Sequence, residues 1–454
     1  MPPCLRFSLN WALLLLCFLF LCACQFGPRT PQVKEPSLVL LLPGSGSYAG
    51  LTSKILQGAN AAKKELEAQG TMVRLAYIDS TKPDWLKKLA ALPESFVTVG
   101  GPLEPSVYSQ LMRSGVGLKR VCFAFMNNLN GNDEGKFAYR FFPSPQDQID
   151  ALVEFSTEAL NIRSFGTFYG RDNYSAKMVG LFENTLKRRN LSLHKASYQS
   201  TDPQALKAQA KSLINPVSQG RLMVPQTAFE AVFLPAPFRQ LDRLLGSFAA
   251  NGEDRLVLLG PTSWEQSVQG HTIKAASRYE LAVLPAAWDN RARTNGLKNA
   301  DFWSALGYDF VNFAVNLGLV SKPNLPELVS RANRAAKALR ILAPLTWDNH
   351  GLAHQRLILY RITGQGLTRM DVALFKRLRD ARKEKAALRL QQGYSDDSYA
   401  MDPSSEEASS RVEQVGAVPS PTPAALPAKT DPSSMAPAPY SSHKLRLPKA
   451  KPAP

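Results

Sequence analysis

The stretch from Leu38 to Asp79 constrains the fold of this chain more than any other. Leu38 to Leu42 is an unbroken apolar run that ends in a glycine-rich turn, the pattern of a strand buried on both faces. Gly44, Gly46 and Gly50 permit a tight turn, and Ser45 or Ser47 is placed to cap a helix whose apolar positions Leu51, Ile55, Leu56, Ala59 and Ala62 recur at helical spacing. Gly70 ends that helix, and Val73, Leu75, Tyr77 and Ile78 form a returning strand. Strand, helix and strand make a βαβ unit, so the sheet is parallel. Ligands of such sheets sit beyond the carboxyl ends of the strands, which puts the 44–50 turn on the rim of a candidate cleft.

The alternation continues. A helix at Trp85–Leu92, a strand at Phe96–Val99, a helix at Glu104–Ser114 and a strand at Arg120–Phe125 complete a first lobe over residues 37–143. Ser144-Pro145 then opens a helix, and the same grammar restarts over 144–289, with strands at Gly166–Tyr169, Leu191–Tyr198, Ala231–Leu234, Arg255–Leu259 and Leu281–Leu284. The expected fold class is α/β, two doubly wound parallel-sheet lobes facing each other across a cleft. Residues 290–366 return to the lobes as crossover helices and strands and complete the first. A Lys- and Arg-dense helix spans 367–395, read as a solvated face or as a surface for an acidic partner or membrane. Residues 396–454, rich in Pro, Ala and Ser, lack the apolar content to fold and are expected to be disordered.

A formal charge of +17 on 454 residues favours an anionic surface or acidic partner. No helix-turn-helix, zinc-finger or arginine-aromatic RNA motif accompanies it, so nucleic acid is not an expected partner. Four of the five cysteines lie in the first 24 residues, around an apolar run from Trp11 to Ala23 that is shorter than the roughly 20 residues of a membrane span. Residues 1–23 read as an export signal peptide. Leu21-Cys22-Ala23-Cys24 resembles a bacterial lipoprotein processing box, which implies acylation of Cys24, a tether over 24–36 and attachment to a membrane through the N-terminal lipid. Gln25 after that cysteine points, by the same resemblance, to the outer membrane. Cys122, between Val121 and Phe123, reads as a buried, inert thiol.

Catalytic and cofactor patterns are broken. Gly44, Gly46 and Gly50 give G-x-G-x-x-x-G, not the dinucleotide fingerprint, and no Gly-Lys-Ser/Thr ending makes a P-loop. Neither Ser45 nor Ser47 sits in a G-x-S-x-G elbow. His350 and His354 are four apart, but Gly351 and the strand pattern that follows argue against a two-ligand helical face. Glu265 and Asp289 read as loop acids. No enzyme activity, cofactor or metal is expected.

The segments LVLLLPGSGSYAGLTSKILQGANAA, VGGPLEPS, YRFFPSPQDQIDALVEF, TFYGRDNYSAKMVGLFENTLKRR and LGYDFVNFAV together resemble type I periplasmic binding proteins of the branched-chain amino-acid class, over roughly residues 37–366. Within that superfamily, FEAVFLPAPFRQLDRLLGSFAANGEDRLVLLGPTSWEQ looks most like the penicillin-binding-protein activators. That resemblance implies a non-enzymatic outer-membrane lipoprotein that regulates a peptidoglycan synthase, its partner being a penicillin-binding protein. The alternative is a solute-binding lipoprotein serving an ABC permease for amino acids or another small polar ligand. The resemblance places a ligand cleft among Ser45, Ser47, Tyr48, Ser106, Met126, Asn127, Tyr174, Phe238, Thr262 and Trp264. It departs from the amino-acid binders at Ala124-Phe125-Met126-Asn127-Asn128, which lacks their threonine, and at neutral Thr262, where they carry an acid for the ligand ammonium. An ammonium desolvated without a counter-charge costs several kcal/mol, so a zwitterionic ligand is disfavoured.

Overall fold

The computed structural model describes residues 35–129, 132–220, 222–292, 297 and 300–392. The signal peptide, Cys24, most of the tether and the C-terminal tail lie outside the described residues. Chain order begins with β1 (Ser37–Leu42), α1 (Ala49–Ala68), β2 (Arg74–Asp79), α2 (Trp85–Ala91), β3 (Thr98–Gly100), α3 (Pro105–Arg113), β4 (Val121–Ala124) and β5 (Ala138–Arg140). These five strands form one all-parallel sheet in the order β2-β1-β3-β4-β5, and all six residues of β1 are buried. The expected serine cap is absent. Tyr48, already near helical dihedrals, precedes α1 without a side-chain cap, and Ser45 Oγ instead bonds Thr81 Oγ1 at 3.0 Å.

The second lobe carries α4 (Pro145–Glu154), β6 (Ser164–Gly170), α5 (Asn173–Arg188), β7 (Ser192–Tyr198), α6 (Pro203–Ile214), a hairpin of β8 (Val217–Gln219) and β9 (Leu222–Val224), β10 (Ala231–Phe233), α7 (Leu241–Ala249), β11 (Val257–Leu259), α8 (Ser263–Val268) and β12 (Ala282–Ala286). A full capping box, Ser144 with Asp147, starts α4 behind Pro145. The chain then crosses back through α9 (Phe302–Leu317), α10 (Leu325–Ala335), β13 (Leu345–Trp347) and β14 (Ala353–Gln355), and ends in β15 (Ile358–Thr363), β16 (Gly366–Arg369) and α11 (Val372–Gln392). The second sheet runs β16-β15-β12-β11-β10-β6-β7. Five of its strands form the expected parallel, doubly wound core, to which the returning β15 adds antiparallel to β12 and β16 antiparallel to β15, so the edge of this sheet is mixed.

Helix α9 belongs to the first lobe. It runs alongside α1 in the same direction, with Lys54 paired to Asp301, Gly58 against Ser304 and Glu65 bonded by Tyr308. The approach is backbone to backbone: a Cβ on Gly58 would lie 1.8 Å from the Ser304 carbonyl oxygen, and one on Gly307 would lie 1.9 Å from that of Ile55. Gly58→Ala is therefore expected to force the helices apart, at a cost of about 1–3 kcal/mol or more in urea denaturation. An unchanged midpoint would mean the helices are not packed so closely.

The basic helix finds its acidic partner within the chain. Helix α11 lies across the amino ends of β10, β11 and β12, where an acid precedes each strand. Lys383 pairs with Glu230 at 2.6 Å, Arg382 with Glu280 at 3.3 Å, and both Arg382 and Arg389 with Asp254, whose side chain is only 4% exposed. Buried Phe375 packs edge-on against Phe155, and Arg379 donates to the Leu160 carbonyl. One helical stripe, Phe375, Leu378, Arg379, Arg382, Ala386 and Arg389, thus faces the lobe while Lys376, Arg377 and Leu388 stay exposed. Among the described residues, no helix is long and apolar enough to cross a membrane.

Candidate functional site

Three crossings join the lobes, after β5, after β12 and between β14 and β15, all at the carboxyl ends of the parallel strands. The cleft rim is built from the turns at those ends. On the first lobe, Asp79 closes the glycine turn by accepting from the Gly44 N–H at 2.6 Å and from the Thr81 N–H and hydroxyl at 2.9 and 2.7 Å. Burial pushes its carboxyl upward, but these bonds outweigh that and hold it below the ordinary carboxylate range. A Cβ on Gly44 would lie 2.3 Å from this carboxylate, so glycine there serves the turn. Ser45 and Ser47 are exposed on the rim, and Tyr48 is half-buried, its phenol raised by burial and by Glu104. Ser106 is exposed in the first turn of α3 and Asn127 in the turn after β4. Met126 is not on the rim: it is buried among Val39, Val99 and Cys122 in the core on one face of the sheet.

On the second lobe, Tyr174 keeps 39% of its surface exposed, and burial raises its phenol. Thr262 is half-buried, and its backbone N–H donates to Gln148 Oε1 at 3.2 Å. Trp264 is fully buried. Its indole N–H donates to the Ala236 carbonyl at 2.7 Å and its ring lies where a Cβ on Gly260 would fall, so it fills the core of the lobe. Phe238 packs on Trp264 and Tyr279, half in that core. The candidate residues on the rim thus offer hydroxyls, a phenol and an amide as hydrogen-bonding groups.

The strongest electrostatic features, which sequence reasoning missed, lie in the crossings. Arg140, at the end of β5, is buried and donates to Asp147 at 3.0 Å, to the Phe142 carbonyl at 2.6 Å, to Glu134 at 3.2 Å and to the Ala353 carbonyl. Asp147 also accepts from the Ser144 and Gln355 N–H groups, and the Gln355 amide reaches the Ala287 and Ala343 carbonyls. One buried network therefore ties all three crossings together. Asp309, fully buried in α9, receives the N–H groups of Arg340, Ile341 and Leu342 at 3.0, 2.8 and 2.6 Å, with its carboxyl raised to about 6 by burial. Glu265 is no solvated loop acid: it is 7% exposed and accepts the indole N–H of Trp288. Asp289 pairs with Arg369 at 2.9 Å. Phe142, Phe302 and Trp303, with ring centroids 5.2–5.7 Å apart, form a half-buried aromatic group where α9 begins beside the end of β5.

The remaining candidates take structural places. His354 lies on β14 with Asp348 3.7 Å away, His350 lies in the turn before it, and no group of metal-ligating side chains occurs among the described residues. Cys122 is fully buried on β4, its thiol raised to about 12 by burial, and it contacts the Gly101 carbonyl oxygen at 3.2 Å.

No protein-family model and no curated protein matches the sequence. Among solved structures, Haemophilus influenzae LpoA matches with a TM-score of 0.53 and 13% identity over 76% of this chain, which spans 60% of that one. The LpoA C-domain from the same organism, described as a regulator of PBP1A, matches over its whole length and 74% of this chain, with a TM-score of 0.50 and 12% identity. A putative branched-chain amino-acid ABC transporter protein from Rhodospirillum rubrum matches with a TM-score of 0.54 and 13% identity, over 74% of this chain and 99% of that one. The fold is that of the type I periplasmic binding proteins.

Proposed function

We propose that the protein is a non-enzymatic envelope lipoprotein that binds and regulates a peptidoglycan synthase of the penicillin-binding-protein class. The observation carrying this reading is the second-lobe rim. By the resemblance, Thr262 takes the place of the acid that amino-acid receptors offer the ligand ammonium, and its own N–H is already bonded to Gln148. A zwitterion would surrender the hydration of its ammonium there for no counter-charge. The full-length likeness to a PBP1A regulator's domain supports the same reading. In this proposal residues 24–36 tether lipidated Cys24 to the periplasmic face of the outer membrane, and the lobes begun by 37–143 and 144–289 and completed by the returning residues up to 392 make the body.

The second reading, a solute-binding lipoprotein for an ABC permease, is supported by the likeness to the Rhodospirillum rubrum protein and by the hydroxyl-rich rim of Ser45, Ser47, Tyr48 and Ser106. A thermal-shift screen against amino acids and short peptides separates the two. A ligand that binds only the folded state adds about 2.7 kcal/mol at 100 times its Kd, several degrees of melting temperature. The expected result is no shift together with co-purification of a penicillin-binding protein. A saturable shift with an amino acid, without the synthase, overturns it.

A further inference from the structure

The pole of the second lobe farthest from the cleft carries a surface hollow of about 470 Å³, lined by Thr157, Glu158, Asn161, Arg163, Arg189 and Leu191. Its wall is an unusual piece of backbone. After α4 the helix widens into a π turn, Phe155–Ala159, before Asn161 stops it in a left-handed conformation at φ 57°. π turns are rare and recur at functional sites; an Asn in that conformation is an ordinary helix stop. The widened turn presents Thr157 and Glu158 to the hollow, while Arg163 enters from the start of β6 and Arg189 from the end of α5.

The two guanidinium groups are loosely engaged. Arg163 Nη2 donates to Asn161 Oδ1 at 3.3 Å, and the carboxylate of Glu158, itself 68% exposed, comes only to 4.0 Å from Arg189. The Arg163 bond takes the oxygen of the Asn161 amide and leaves its NH₂ as a donor. The Thr157 hydroxyl spends its proton on the Val153 and Glu154 carbonyls and contributes packing. Two forked cations, an amide donor and one tethered carboxylate make a site for an oxyanion, since guanidinium geometry matches carboxylate and phosphate oxygens in pairs. The volume admits more than a bare ion.

We propose that this hollow binds a ligand bearing a carboxylate or phosphate, gripped by Arg163 and Arg189, with Glu158 as a built-in competitor for the same guanidiniums. The site lies apart from the cleft and does not rest on the regulatory reading. Calorimetric titration of the full chain with inorganic phosphate and, separately, with citrate, at ionic strength matched with sodium chloride, tests it. Saturable binding of either anion supports the site, and which of the two binds identifies its source chemistry. The Arg163→Ala/Arg189→Ala double variant should weaken binding at least about tenfold, while Glu158→Gln should tighten it about threefold by removing the competing charge. These side chains are exposed, so anion-free melting should be unchanged in each variant. Absence of saturable binding by both anions, binding unaffected in the double variant, or weaker binding in Glu158→Gln would each overturn the proposal.

Discussion

Arg140→Ala is expected to lower the unfolding free energy by about 3–5 kcal/mol, the range for removing one partner of a buried ion pair. The cost arises because Asp147 would remain buried with its Oδ2 facing a vacated site, retaining only the N–H donors of Ser144 and Gln355. The Phe142 and Ala353 carbonyls would lose their donor in the same step. The arginine touches two of the three crossings and reaches the third through Asp147 and Gln355, so the loss should also loosen the junction between lobes. Lys63, half-exposed and paired to Glu67 at 3.7 Å on α1, is the control: Lys63→Ala should change stability by about 0–1 kcal/mol. Replacing both Arg140 and Asp147 with leucine should recover part of the loss, because the buried Asp147 carboxylate is no longer stranded and Glu134, though it loses Arg140, keeps the Ala353 N–H. Urea denaturation of the three variants beside the unsubstituted protein makes the comparison, and a loss under about 1 kcal/mol for Arg140→Ala would contradict this account of the junction.

Glu265→Gln is expected to abolish a pH dependence of stability. Burial raises the Glu265 carboxyl from its ordinary 4.5 to about 7, against the lowering effect of the Trp288 indole N–H and with a further raising effect from Asp301. The folded state therefore holds a proton that the unfolded state gives up. Below about pH 4.5 both states are protonated and the group is neutral to stability. Between 4.5 and 7 the unfolded chain ionises while the fold keeps the proton, so stability falls as pH rises, by roughly 3 kcal/mol in all. Glutamine keeps an acceptor for Trp288 and does not titrate, so the variant's profile should be flatter across that window and its advantage greatest above pH 7. Parallel profiles for the two proteins would show that Glu265 does not carry the dependence.

Much of this architecture was legible because β1 and β3 are short apolar runs closed by proline or glycine, and the helices that follow them have apolar residues on one face. The antiparallel return of β15 and β16 was not legible, since an apolar run such as Leu357–Ile362 has the same composition in either direction. The cleft was the weaker part for a related reason. A parallel sheet buried on both faces has no polar–apolar alternation to say which residue at a strand end turns toward the rim. Met126 and Trp264 accordingly entered the candidate site and proved to be core, whereas Ser45, Ser47 and Tyr174 were placed by their glycine turn and helix start. Arg140 had no local signature, because its Ala353 partner lies 213 residues away. The role of α11 was recoverable in principle: Glu230, Asp254 and Glu280 each stand just before a strand, a row of acids for a late basic helix to cover.

The most direct test of the regulatory reading is the rate of glycan-strand polymerisation by a purified bifunctional penicillin-binding protein from the same organism, with and without this protein at saturating concentration. The proposed function predicts a saturable change in that rate on addition of the protein, unaffected by free amino acids. An unchanged rate, together with tight saturable binding of an amino acid, would contradict it and leave the solute-receptor reading in its place.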